Sequence, residues 1–171
     1  MKKFITILFI FIASFTFAQS KVFVSQNPFG TAGDCAYLVD DDKIFESGNS
    51  FGSSKGDCIF VIKDDKVFNS GNSFGSSIGM CYLVKDGNKL FRSKNSFGTT
   101  TGDCVYIIDD NKIYESGNSF GSSKGDCLFV IDGDKIYESG NSFGSSKGDC
   151  VLTTEGEVKL IELLTILKYS N

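Results

Sequence analysis

Six cysteines recur at Cys35, Cys58, Cys81, Cys104, Cys127 and Cys150, each 23 residues after the last. Thiols at one strict interval raise three chemistries: a ladder of free buried groups, disulfides between neighbours, or ligands for a soft metal. The chain has no histidine, and no C-x-x-C spacing occurs, so nothing completes a zinc site and no metal ligand set is assigned. The same absence removes Ser-His-Asp and Cys-His nucleophile mechanisms. A second column, Asp34, Asp57, Asp103, Asp126 and Asp149, carries Met80 at its remaining position. Paired carboxylates are the groups of glycoside hydrolysis. A carboxylate copied in every unit, with no insertion to shape one pocket, fits an enzyme poorly. The chain is therefore read as non-enzymatic and without a cofactor, a small glycan-active enzyme using the Asp columns being the alternative. Further acidic groups, Asp40-Asp41-Asp42, Asp64-Asp65, Asp109-Asp110 and Asp132-Gly133-Asp134, offer oxygens to calcium. A lysine follows them at Lys43, Lys66, Lys112 and Lys135, and solvated turns are the simpler account.

These columns belong to repeats, because segments of the type G-N-S-F-G-S-S-K-G-D-C return with the cysteines. Six units begin at Lys21, Lys43, Lys66, Lys89, Lys112 and Lys135. Each reads as β-structure. Cys58-Ile59-Phe60-Val61-Ile62 is rich in β-branched and aromatic residues, Lys66-Val67-Phe68 forms a second run, and Gly and Asn punctuate both. No unit has helical apolar spacing.

Two all-β architectures fit such a unit. In a parallel β-solenoid of six rungs, equivalent residues stack, and the Asn27, Asn49, Asn72, Asn95, Asn118, Asn141 and Phe29, Phe51, Phe74, Phe97, Phe120, Phe143 columns turn inward at the bends. In an antiparallel β-hairpin array, Asp132-Gly133-Asp134-Lys135 is a tight turn that sets Asp132 against Lys135 and Ile131 against Ile136. The long return from Ser139 to Asp149 favours the solenoid. Strand alternation then places Cys58, Phe60 and Ile62 on one face. Ile59 and Val61, with Leu128 and Val130, form a second apolar face that invites self-association. Outer-membrane barrels are excluded by strands too short to cross.

If Asn49, Phe51 and Ser53 face inward, Ser50, Gly52 and Ser54 face out. The repeat then presents a small hydroxyl-lined ribbon of Ser50, Ser73, Ser96, Ser119 and Ser142, suited to an extracellular glycan. Departures at Ile78, Met80, Arg92 and Lys94 mark where a unique site would sit.

Residues 158–171 break the pattern. Val158, Leu160, Ile161, Leu163, Leu164, Ile166 and Leu167 are apolar, and Lys159, Glu162, Thr165 and Lys168 form a polar stripe. That spacing is helical, with Thr154 and Glu157 at capping-box distance, and a C-terminal capping helix over an open end rung is expected.

Residues 1–18 read as a signal peptide: Lys2 and Lys3, an apolar run from Phe4 to Phe15, then Thr16-Phe17-Ala18 as a cleavage site. Residues 19–157 form the six-unit repeat domain, secreted or held in the cell envelope, with no membrane span after cleavage. Without the leader, 15 basic residues face 21 acidic ones, a net charge of −6, which excludes nucleic acid as a partner. Units of the form I-Y-x-x-G-N-S-F-x-x-x-x-D with an apolar C-terminal tail resemble uncharacterised bacterial secreted short-repeat proteins. The resemblance implies a β-repeat fold and brings no activity, cofactor or site; the cysteine after each Asp is this chain's addition.

Overall fold

A computed structural model describes residues 19–170; the proposed leader lies outside them. Twelve strands alternate long and short: β1 (Ser20–Ser25), β2 (Ala32–Asp40), β3 (Lys43–Ser47), β4 (Lys55–Lys63), β5 (Lys66–Ser70), β6 (Ile78–Asp86), β7 (Lys89–Ser93), β8 (Thr101–Asp109), β9 (Lys112–Ser116), β10 (Lys124–Asp132), β11 (Lys135–Ser139) and β12 (Lys147–Glu155). One helix follows, α1 (Leu160–Ser170).

Each long strand turns into the next short one through two residues. The first of the two lies in the left-handed region in all five turns: Asp41, Asp64, Gly87, Asp110 and Gly133, with φ of 53°, 51°, 56°, 54° and 62°. Positive φ there matches the twist of a tight hairpin, and Asp or Gly reaches it at least cost. Ile131 pairs with Ile136 and Asp132 with Lys135, as the hairpin reading expects. The pairing is antiparallel throughout and closes into a barrel. The all-β expectation therefore holds, and the six-rung solenoid is replaced by a closed hairpin array. The apparent long return is short in fact, because the next strand starts at Lys147, before Cys150, leaving only residues 140–146 between strands.

Closure uses the chain's two ends. β1 pairs with β12 as Lys21↔Glu155 and Val22↔Thr154, the register that Lys135↔Asp132 and Ile136↔Ile131 keep within a hairpin. The N-terminal strand thus serves as the short strand of the sixth hairpin. Among the described strands no edge is left unpaired.

A bulge recurs at each seam between a short strand and the following long one. Ile44 faces Phe60 while Phe45 faces Cys58, so Ile59 is the extra residue; Ala36, Tyr82, Val105, Leu128 and Val151 hold the same place. Such a bulge turns two successive side chains to one side. Ile59, Phe60 and Ile62 accordingly pack in the lumen, whereas Cys58 and Val61 join Phe45 on the outer wall. This corrects the alternation expected from sequence: the cysteines share a face with Val61, and Phe60 and Ile62 lie opposite.

Eight strands make a barrel that side chains alone can fill, and twelve leave a wider lumen. α1 fills it. Ile161, Leu163, Leu164, Ile166 and Leu167 are buried in one cluster with residues from every strand, from Val22 on β1 round to Leu152 on β12. Every residue from Ile161 to Leu167 is buried, on all sides of the helix, so the capping role is corrected to an internal one. Two residues of its supposed polar stripe are buried and bonded locally. Thr165 Oγ1 donates to the Ile161 carbonyl at 2.6 Å, and Glu162 Oε2 accepts from the Lys159 amide at 2.7 Å. The Glu162 carboxylate on the Lys159 amide, not Thr154 with Glu157, caps the N-terminus of the helix. Lys159 Nζ ties the helix start to Asp42 at the turn end, and Tyr37 Oη meets Ser170 Oγ at 3.1 Å further along. Among the described residues, no helix is long and apolar enough to cross a membrane.

Candidate binding grooves on the outer wall

The connections from short to long strands carry the repeated Asn-Ser-Phe-Gly segment, and Asn organises each. Asn49 Oδ1 accepts from the Phe51 and Ser53 amides at 3.1 Å each, and its Nδ2 donates to Ser53 Oγ at 2.9 Å and Ser54 Oγ at 2.8 Å. Asn72, Asn95, Asn118 and Asn141 repeat the pattern, and Asn27 does so with Thr31. The Asn column is therefore a set of self-contained Asx turns, not an inward ladder.

Each loop folds back over the outer wall of the preceding unit. The Cys35 amide donates to the Ser50 carbonyl at 2.8 Å, and Cys58, Cys81, Cys104 and Cys127 bond Ser73, Ser96, Ser119 and Ser142 in the same way. Cys150 completes the ring on Pro28 at 3.1 Å. Contact is close enough to demand glycine: a Cβ on Gly52 would stand 2.6 Å from Cys35 Sγ. Gly52, expected to face out, is thus buried, while Ser50 is exposed.

The phenylalanines overturn their expectation. Phe29, Phe51, Phe74, Phe97, Phe120 and Phe143 are 75–83% exposed. The Asx turn places this residue at the loop apex, where the chain points away from the wall. N-S-F-G was a readable signal for that, since an aromatic flanked by turn formers cannot also be a strand's core residue.

Beneath the loops the six cysteines are free and buried. Each thiol donates to the carbonyl two residues on, as Cys58 does to Phe60 at 3.4 Å. A short strand lies between successive cysteine strands, which sets neighbours about 10 Å apart and beyond disulfide reach. Burial pushes the Cys58 and Cys81 thiols up, which suits packing groups and not nucleophiles. No cluster of acidic or sulfur ligands for a metal occurs among the described residues.

Between adjacent loops the wall is grooved. One groove of about 530 Å³ is lined by Asp40, Lys43, Phe45, Lys55, Asp57, Ser73 and Phe74. It brings together the Asp column, the Ser column and the exposed Phe, which sequence reasoning treated apart. Lys55 pairs with Asp40 and rests 4.8 Å from the Phe45 ring centroid. Lys124 and Lys147 repeat this with Asp109 and Tyr114, and with Asp132 and Tyr137, at ion-pair distances of 2.6 and 2.5 Å. Their hydrogen bonds to those aspartates hold both ammonium groups above the usual lysine range. In these three units the lysine is fixed along the groove floor, and Asp57 and its counterparts remain exposed. The lysine is replaced by Ala32 at β2, Ile78 at β6 and Thr101 at β8, and at β6 Met80 replaces Asp as well, Ile78 and Met80 being 49% and 63% exposed.

The fold defines a twelve-stranded antiparallel barrel around an internal helix, clad by six strapped loops. Comparison with known proteins returned no matching family model, no matching curated protein and no matching solved structure.

Proposed function

We propose that this is an exported, non-enzymatic binding module for extracellular glycans, acting through the loops and grooves of its outer wall. One observation carries the reading: six phenylalanines stand free in water on loops held rigid by Asn hydrogen bonds. Exposed aromatics cost solubility unless a partner covers them. A ring face stacks on the apolar face of a sugar, and the neighbouring Ser hydroxyl and Asp carboxylate meet sugar hydroxyls. Preorganised loops lose little entropy on binding, and six modest sites gain avidity on a polymer. Grooves open to solvent and copied around a ring support binding over catalysis.

The test is retention on insoluble polysaccharides such as cellulose, chitin and peptidoglycan sacculi. Replacing the six phenylalanines with alanine in successive pairs should lower retention at each step. Ser96→Lys with Ser119→Lys should lower it as well. Full retention by the variant lacking all six phenylalanines defeats the proposal.

A second reading, self-association, is favoured by β6 alone. Phe74, Ile78, Met80 and Phe97 expose roughly 500 Å² together, at about 200 Å² for a large apolar side chain. That is the apolar share expected of a standard interface burying about 800 Å² per partner. Light scattering of Met80→Asp with Ile78→Lys, which restore the repeat, should show a smaller particle than the wild type; an unchanged monomer in both removes this reading.

A further inference from the structure

We infer that the loop-end mouth of the barrel holds a binding site for a small amphiphilic cation, an apolar chain with an ammonium head. The site lies on the lumen side of the wall and is separate from the outer grooves.

The cavity arises where one column departs from its repeat. The inward bulge residue is Ile59, Tyr82, Val105, Leu128 or Val151 in five units and Ala36 in the sixth. One step nearer the mouth, Val24 on β1 stands where Glu46, Asn69, Arg92, Glu115 and Glu138 stand on the other short strands. Both small residues fall at the seam of β1 and β2. The end of α1 closes part of this region: the Tyr169 ring packs edge-on against Tyr37 at 6.4 Å and against Phe60 at 5.2 Å, and Phe60 stacks on Tyr82 at 5.5 Å. What remains is a recess of about 390 Å³ lined by Val24, Ala36, Phe129, Leu152, Leu167 and Glu138. Its walls are mostly apolar, with Tyr37, Glu138 and Ser170 as the polar groups, and its size is that of a small-ligand pocket.

The rim sets the sign of charge. Glu138 lies at the edge of this recess and of the adjoining one of about 360 Å³. No ion pair engages Glu138 among the described residues. Ser170 of α1 also lines the recess, so the negative end of the helix dipole faces the same opening. Lys168 and Arg92, the nearby cations, line a different recess together with Glu115. A cation at the rim and a chain in the apolar hollow satisfy both features.

The probe is n-octylammonium, titrated calorimetrically into the purified protein below its aggregation concentration, with n-octanol and octanoate as comparisons. Saturable one-to-one binding is expected, with octanoate at least tenfold weaker. Glu138→Gln should weaken octylammonium tenfold or more and leave octanol unchanged. Ala36→Ile, the residue that another repeat already holds, should abolish binding of both; Ala36→Val serves if the larger residue impairs folding. Octanoate binding as tightly as octylammonium would overturn the inference. So would wild-type affinity in a folded Ala36 variant, or no saturable binding at all.

Discussion

Gly75→Ala tests whether the cysteine column is the bed on which the binding loops lie. Gly75 has φ of +66°, and an added Cβ would sit 2.6 Å from Cys58 Sγ and 2.9 Å from Lys43 Cδ. The lysine chain can swing aside; the sulfur, buried at 5% exposure, cannot. Two costs follow: about 1–2 kcal/mol for placing alanine in the left-handed region, and about 1–3 kcal/mol for overpacking against the thiol. Cys58→Ala alone should cost about 1–2 kcal/mol as a large-to-small change. If the clash is with sulfur, the double variant recovers the overpacking, since the new methyl enters the space that the sulfur left. Its stability should then match or exceed that of Gly75→Ala alone, a coupling of about 1–3 kcal/mol. Urea unfolding followed by circular dichroism on the four proteins reads this directly. Simple additivity within about 0.5 kcal/mol would refute the strapped-loop reasoning, because it would leave thiol and loop energetically independent.

Other consequences are as open to measurement. Burial raises the Glu162 carboxyl above its ordinary range, opposed by the Lys159 amide and ammonium. The native state then holds a proton that the unfolded state has released, and stability falls as pH rises from about 4.5 through the native value. Glu162→Gln should melt higher than wild type at neutral pH, with the gap closing toward pH 4.5; a gap that widens on acidification contradicts this. Thiol titration should find six reactive groups in denaturant and slow modification in the folded protein, since all six are free and buried; fewer than six in denaturant would mean that disulfides form. Lys63 faces Lys66 where the other hairpins set Asp against Lys. Lys63→Asp should therefore stabilise by about 0.2–1 kcal/mol in thermal or urea unfolding, and a loss would show that the pair is not in register.

How much of this was legible depends on the range of the force that decides each feature. The turn Asp132-Gly133-Asp134 and its flanking pairs Ile131/Ile136 and Asp132/Lys135 are set by four neighbouring residues, and could be read in advance. So could the helix, whose spacing is intrinsic to residues 158–167. The bulge at Ile59 could not: one inserted residue reverses every side chain beyond it, and no single strand announces the insertion. Barrel closure was hidden for another reason. Lys21-Val22-Phe23 is visibly a sixth short strand, but only its partner Glu155, far along the chain, shows that it completes the last hairpin. The helix was placed on the outside because its neighbours were unknown. Glu162 and Thr165 look like a solvent stripe until their bonds to Lys159 and Ile161 are seen.

The two faces of the wall obey different rules, and the difference separates two kinds of recognition. The outward loops keep Asn and Phe in all six, Ser between them in five and Pro28 in the sixth, with a glycine over each cysteine, because each loop must fit the unit before it. A ring built that way offers six similar sites and suits a partner that itself repeats, as a polysaccharide does. Inward columns answer to one helix that shares none of the repeat. Tyr169 meets Tyr37 and Phe60, Ser170 meets Tyr37, and the units diverge toward the lumen, from Ala36 to Tyr82 and from Val24 to Arg92. Departure from symmetry is thus concentrated where a single, unrepeated ligand could be held. If the same divergence served only to pack α1, the space left by Ala36 would have been closed by a larger side chain, as it is in the other five units.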